Sequence, residues 1–70
     1  MKNIYRRIDA VIKDTGIEPY DVSFEPDGNI NIQAHYNYEV VRKLFKRWRG
    51  EIRDHGFVQF TRGRIKIILT

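Results

Sequence analysis

VSFEPDGNINI, residues 22–32, holds two short runs of alternating apolar and polar residues around Pro26-Asp27-Gly28. Val22 and Phe24 alternate with Ser23 and Glu25, and Ile30 and Ile32 alternate with Asn31 and Gln33. An extended chain points successive side chains to opposite faces, and Pro-Asp-Gly is turn chemistry, so the stretch reads as a β-hairpin with one buried face. Tyr20 and Ala34 continue the apolar side at either end. The phrase recurs in VQFTRGRIKI, residues 58–67. There Val58 and Phe60 alternate with Gln59 and Thr61, the chain turns at Arg62-Gly63, and Ile65, Ile67 and Leu69 alternate with Arg64, Lys66 and Ile68.

A helical pattern precedes each hairpin. Asn3 is a good N-cap, and Ile4, Tyr5, Ile8, Val11 and Ile12 fall within one arc of roughly 120° at 3.6 residues per turn. DTGI closes that helix, with Gly16 suited to the left-handed position after the last turn and Ile17 as the apolar residue that follows. Asn37 is the next N-cap, and the spacing predicts a helix from Tyr38 to about Asp54. Val41, Leu44, Phe45, Trp48 and Ile52 occupy an arc of about 100° on it. DHGF repeats the stop signal, with Gly56 and Phe57 in the roles of Gly16 and Ile17.

Helix, Asp-x-Gly-apolar, strand, turn, strand therefore occurs twice, in halves 3–34 and 37–70 of a single small domain. A duplication with an insertion gives this pattern, and so do two independent solutions to one packing problem. The expected fold is α+β: an αββαββ two-layer sandwich, with a four-stranded antiparallel sheet covered on one face by both helices and a pseudo-twofold between the halves. IKIIL, the most apolar strand, belongs in the middle beside the strand carrying Ile30 and Ile32, which gives the strand order first, second, fourth, third.

With 70 residues, the chain has room for one thin core, burying about 60% of the surface of its unfolded state. It contains no cysteine, so disulfides and thiolate metal sites are excluded, and a cytoplasmic location is expected. No apolar run approaches the roughly 20 residues of a membrane helix, and the charged MKNIYRRIDAVIKD does not read as a signal peptide. Two histidines without ligand spacing predict no metal, the hydroxyl residues have no catalytic context, and the glycines stand singly rather than in a phosphate loop. Asp54 and His55 are the nearest approach to an acid–base pair, but as sequence neighbours their side chains diverge. A non-enzymatic protein without a cofactor is the expectation.

Charge is the informative signal. Residues 1–35 carry four Lys/Arg against six acids, net −2, and residues 36–70 carry nine against three, net +6. Arg42, Lys46, Arg49 and Arg53 recur at i, i+4, i+7 and i+11, a stripe about 60° wide on a helix, and Lys43 and Arg47 widen it. Like charges meet at i,i+4 in Arg42/Lys46, Lys43/Arg47 and Arg49/Arg53, each pair costing about 0.2–0.5 kcal/mol, so an anionic partner offers compensation. The bland alternative is a solvated face whose long stems cover apolar neighbours. Gly50 falls mid-helix in this reading, where it costs about 1 kcal/mol and either admits a phosphate backbone or marks a kink. Trp48, central in the apolar arc, reads as a core anchor rather than a base-stacking platform. Asp21, Ser23, Asn31, Gln33, Gln59, Thr61, Arg64, Lys66 and Ile68 are assigned to the open sheet face, with no aromatic pair placed to stack bases.

The leading expectation is a nucleic-acid-binding protein, DNA or RNA undecided. Arg42, Lys43, Lys46, Arg47, Arg49 and Arg53 would touch phosphates, helped by Arg62, Arg64 and Lys66. The alternatives are an adaptor or inhibitor, of the kind a phage encodes, that uses the cationic helix against an acidic protein surface, and a homodimerising domain that extends its sheet through an edge strand. No membrane partner is expected.

Overall fold

The computed structural model describes residues 4–52 and 56–70. The elements are α1 (Ile4–Thr15), β1 (Pro19–Phe24), β2 (Ile30–Ala34), α2 (Tyr38–Arg47), β3 (Arg49–Ile52), β4 (Val58–Arg62) and β5 (Ile65–Leu69). The five strands form one sheet in the order β1-β2-β5-β4-β3. β1–β2, β5–β4 and β4–β3 pair antiparallel, and β2–β5 pair parallel.

Both quoted stretches are hairpins, and IKIIL is the central strand beside β2, as its composition requires. Residues opposite one another in the ladders share a face. One such row is Val22, Ile32, Ile67, Phe60 and Gly50, and the next is Ala34, Leu69, Val58 and Ile52. Ile32, Ile67 and Phe60 are fully buried. A single core cluster joins this face to Ile8 of α1 and to Val40, Val41 and Leu44 of α2, so both helices cover the same side of the sheet.

The helix ends form as the local chemistry dictates. Gly16 takes φ 77°, its N–H donates to the Ile12 carbonyl at 2.8 Å, and Ile17 is buried beneath it. Asn37 caps α2: the Glu39 and Val40 N–H groups donate to its Oδ1 at 2.9 and 3.3 Å. The Asn3 cap lies outside the described residues.

The second helix is where expectation and structure part. α2 ends at Arg47, and Trp48 is already extended (φ −113°, ψ 152°), its N–H closing the last turn on the Leu44 carbonyl. Residues 49–52 then form β3, a strand the sequence reading assigned to helix. Packing explains the switch. Gly50 lies opposite Phe60, and a Cβ placed on it would sit 2.6 Å from the Phe45 ring and 2.7 Å from the Phe60 ring. Those rings meet edge-to-face, 4.9 Å apart and inclined at 79°. Glycine here is not a mid-helix kink; it lets the strand pass against two aromatic edges. Gly56 does adopt a positive φ of 80°, but between β3 and β4 rather than at a helix end.

This one strand accounts for the other differences. A helix running straight into β4 would leave β5 antiparallel to β2. β3 adds one chain reversal and makes the central pair parallel, while α2 crosses over between two strands of the same direction, β2 and β3. The expected pseudo-twofold is lost with it. An axis normal to the sheet would make β2 and β5 antiparallel, and one along the strands would put the helices on opposite faces.

Candidate nucleic-acid interface

The expected cationic ladder is divided among three places. Arg42, Lys43, Lys46 and Arg47 are exposed on α2. Arg49 belongs to β3 and lies opposite Thr61, on the sheet face away from the helices. Arg53 lies outside the described residues, as do Asp54 and His55. Two of the three like-charged i,i+4 pairs, Arg42/Lys46 and Lys43/Arg47, remain on a helix.

On the helical side the cations gather around Trp48. Its side chain is buried at 6% exposure, and it lines two depressions, one between α1 and α2 and one between α1 and the β4–β5 hairpin. The first, about 160 Å³, is bounded by Asp14, Thr15, Lys43, Lys46 and Arg47. The second, about 260 Å³, is bounded by Arg7, Ala10, Val11, Arg62 and Ile65. The Arg62 guanidinium stands 6.0 Å from the Trp48 ring centroid, at the outer reach of a cation–π contact. Cations from α1, α2 and the end of β4 therefore border two depressions that share Trp48, a surface here called the groove. The indole Nε1–H is buried and finds no hydrogen-bond partner among the described residues. The core assignment of Trp48 holds, and the base-stacking reading does not.

Acidic neighbours temper the groove at two points. Arg47 donates to Asp14 at 3.4 Å, tying α2 to the last turn of α1, and Arg42 stands 3.9 Å from Glu39. Both pairs are exposed, so each adds little stability and competes weakly with a phosphate for its arginine.

The remaining expected residues lie away from these depressions. Arg64 sits in the β4–β5 turn rather than on the open face. It donates to the Asp27 carbonyl at 2.7 Å, while its own carbonyl accepts from Ile30 N–H, so it ties the two hairpin turns together. Lys66 is on the open face, in the row Ser23, Asn31, Lys66, Thr61, Arg49. The neighbouring row is Asp21, Gln33, Ile68, Gln59, Glu51. Two acids and two bases make this face electrically balanced, unlike the helical side. Arg7 was not among the expected phosphate contacts. Counting charge by halves placed it in the acidic half, and only the packing of α1 beside Trp48 and the β4–β5 hairpin brings it to the groove.

Among the described residues no cluster of His, Cys, Asp or Glu could hold a metal ion, and no helix is long and apolar enough to cross a membrane. Comparison with protein-family models, with curated proteins and with solved structures gives no match.

Proposed function

We propose that the protein binds nucleic acid through its helical layer, without catalysis. Lys43, Lys46 and Arg47 of α2 contact phosphates, with Arg42 at the margin and Arg7 and Arg62 on the far rim of the groove. The observation that carries this reading is that cations from three elements border two depressions sharing Trp48, while the charged residues in the ladder rows of the opposite sheet face balance. Contacts to the backbone dominate such a surface, so preference among sequences is small. Arg49, Arg64 and Lys66 have no phosphate role in this proposal.

Fluorescence anisotropy with labelled duplex and single-stranded DNA and RNA, over a range of salt, tests it. Neutralising about five phosphates on duplex DNA gives a slope of log K against log[salt] of roughly −4 to −5. Replacing Lys43, Lys46 and Arg47 together by Gln should flatten the slope by about three phosphates' worth. Replacing Lys66 by Gln on the other face should leave it unchanged. Absence of salt-dependent binding to any of these probes at low ionic strength would reject the proposal.

A further inference from the structure

We propose that β3 is a self-association strand: two copies of the chain pair β3 to β3, antiparallel, about a twofold axis passing beside Gly50. The two edges of the sheet are built differently. β1 begins at Pro19, and its register shifts between Pro19 and Asp21; a proline and an irregular register are devices that discourage a further strand from adding. β3 keeps an unbroken register with β4 over all four residues and has glycine in its interior. Ile52, on its core-facing side, is 79% exposed, and Phe45, whose ring lies against Gly50, is 49% exposed. An open edge with an apolar residue standing at its end invites a partner.

The sequence of β3 selects a second copy as that partner. A twofold normal to the sheet keeps like faces together, so each residue must lie opposite one from the same face. Within β3, the axis can then pass beside Arg49, Gly50, Glu51 or Ile52, and an axis beside Ile52 pairs only that one residue within the strand. Centred on Arg49, two guanidinium groups oppose each other; centred on Glu51, two carboxylates do. Centred on Gly50, Arg49 of each copy lies opposite Glu51 of the other, twice, and the glycines meet without side chains. Arg-Gly-Glu is thus complementary to itself in one register and repulsive in the two centred on Arg49 and Glu51. The pairing uses a different face and different residues from the nucleic-acid reading and does not depend on it.

Sedimentation velocity on the full chain without nucleic acid, from about 10 μM to about 1 mM, tests the proposal. The wild type should form a reversible dimer that weakens with added salt. Glu51→Arg alone and Arg49→Glu alone should each halve the sedimenting mass at concentrations where the wild type is dimeric. Mixed in equal amounts, the two variants should recover the dimer as a heterodimer. Within one copy these residues lie opposite Thr61 and Gln59, which are neutral, so neither exchange sets like charges across β4. Circular dichroism checks that each variant folds. Should one not fold, amide exchange on the wild type still decides: the outward-facing β3 amides should gain protection as concentration rises. A wild type monomeric throughout, a dimer that survives both single exchanges, a mixture that stays monomeric, or β3 protection independent of concentration would each overturn the proposal.

Discussion

The hairpin of β1 and β2 and the hairpin of β4 and β5 are made of the same phrase, but the helices before them finish differently. α1 stops at Thr15, whose hydroxyl donates back to the Val11 carbonyl at 2.7 Å, and Gly16 then turns the chain with a positive φ. α2 stops at Trp48 with no glycine after it, and the chain passes straight into an edge strand. The first ending is local, written in four consecutive residues. The second depends on Phe60, ten residues further on, whose ring lies against the bare backbone of Gly50. Similar strands therefore do not make similar halves: the connection decides how often the chain reverses, and so whether the central pair runs parallel.

The largest effect that would break or sharpen this contrast is at the two helix ends themselves. Trp48→Ala removes a buried indole and should cost about 3–5 kcal/mol in denaturant unfolding, enough to threaten folding in so small a domain. Thr15→Ala, at the corresponding end of α1, loses a hydroxyl that donates to the Val11 carbonyl and accepts a long bond from Ile17 N–H, and should cost about 1 kcal/mol. Equal costs would remove the distinction between a packed ending and a local one. In the wild type, Trp48 fluorescence should be blue-shifted and poorly reached by collisional quenchers.

A smaller effect carries its information in its sign. Gly50→Ala should destabilise by about 1–3 kcal/mol, because the new methyl meets the Phe45 and Phe60 rings. Were residues 49–52 helical, the same substitution would stabilise by about 1 kcal/mol. Thermal unfolding monitored by circular dichroism separates the two.

Most of the architecture was legible because it is local. Alternation around Pro26-Asp27-Gly28 and around Arg62-Gly63, the Asn37 cap, and Gly16 before Ile17 each act within a few residues. β3 was not legible. Arg-Gly-Glu-Ile is too short to display a period of two, and Trp48 and Ile52 fit a helical arc, although Ile52 is exposed on the strand. The candidate interface divides on the same line. Lys43, Lys46 and Arg47 follow from helical spacing within α2. Arg7 reaches the groove only through the packing of α1, and the Arg64 bond to the Asp27 carbonyl spans two hairpins that no linear pattern relates.

The backbone conformation of residues 49–52 is the point on which the sheet topology, the division of the cations and the self-pairing edge all rest. Nuclear magnetic resonance of the isotope-labelled chain measures it directly. Strand-type carbon shifts from Arg49 to Ile52 are expected, with cross-strand contacts from Gly50 to Phe60 and from Ile52 to Val58, and Gly50 α-protons displaced by the rings of Phe45 and Phe60. Helical shifts continuing from Arg47 through Ile52, without contacts to β4, would contradict it.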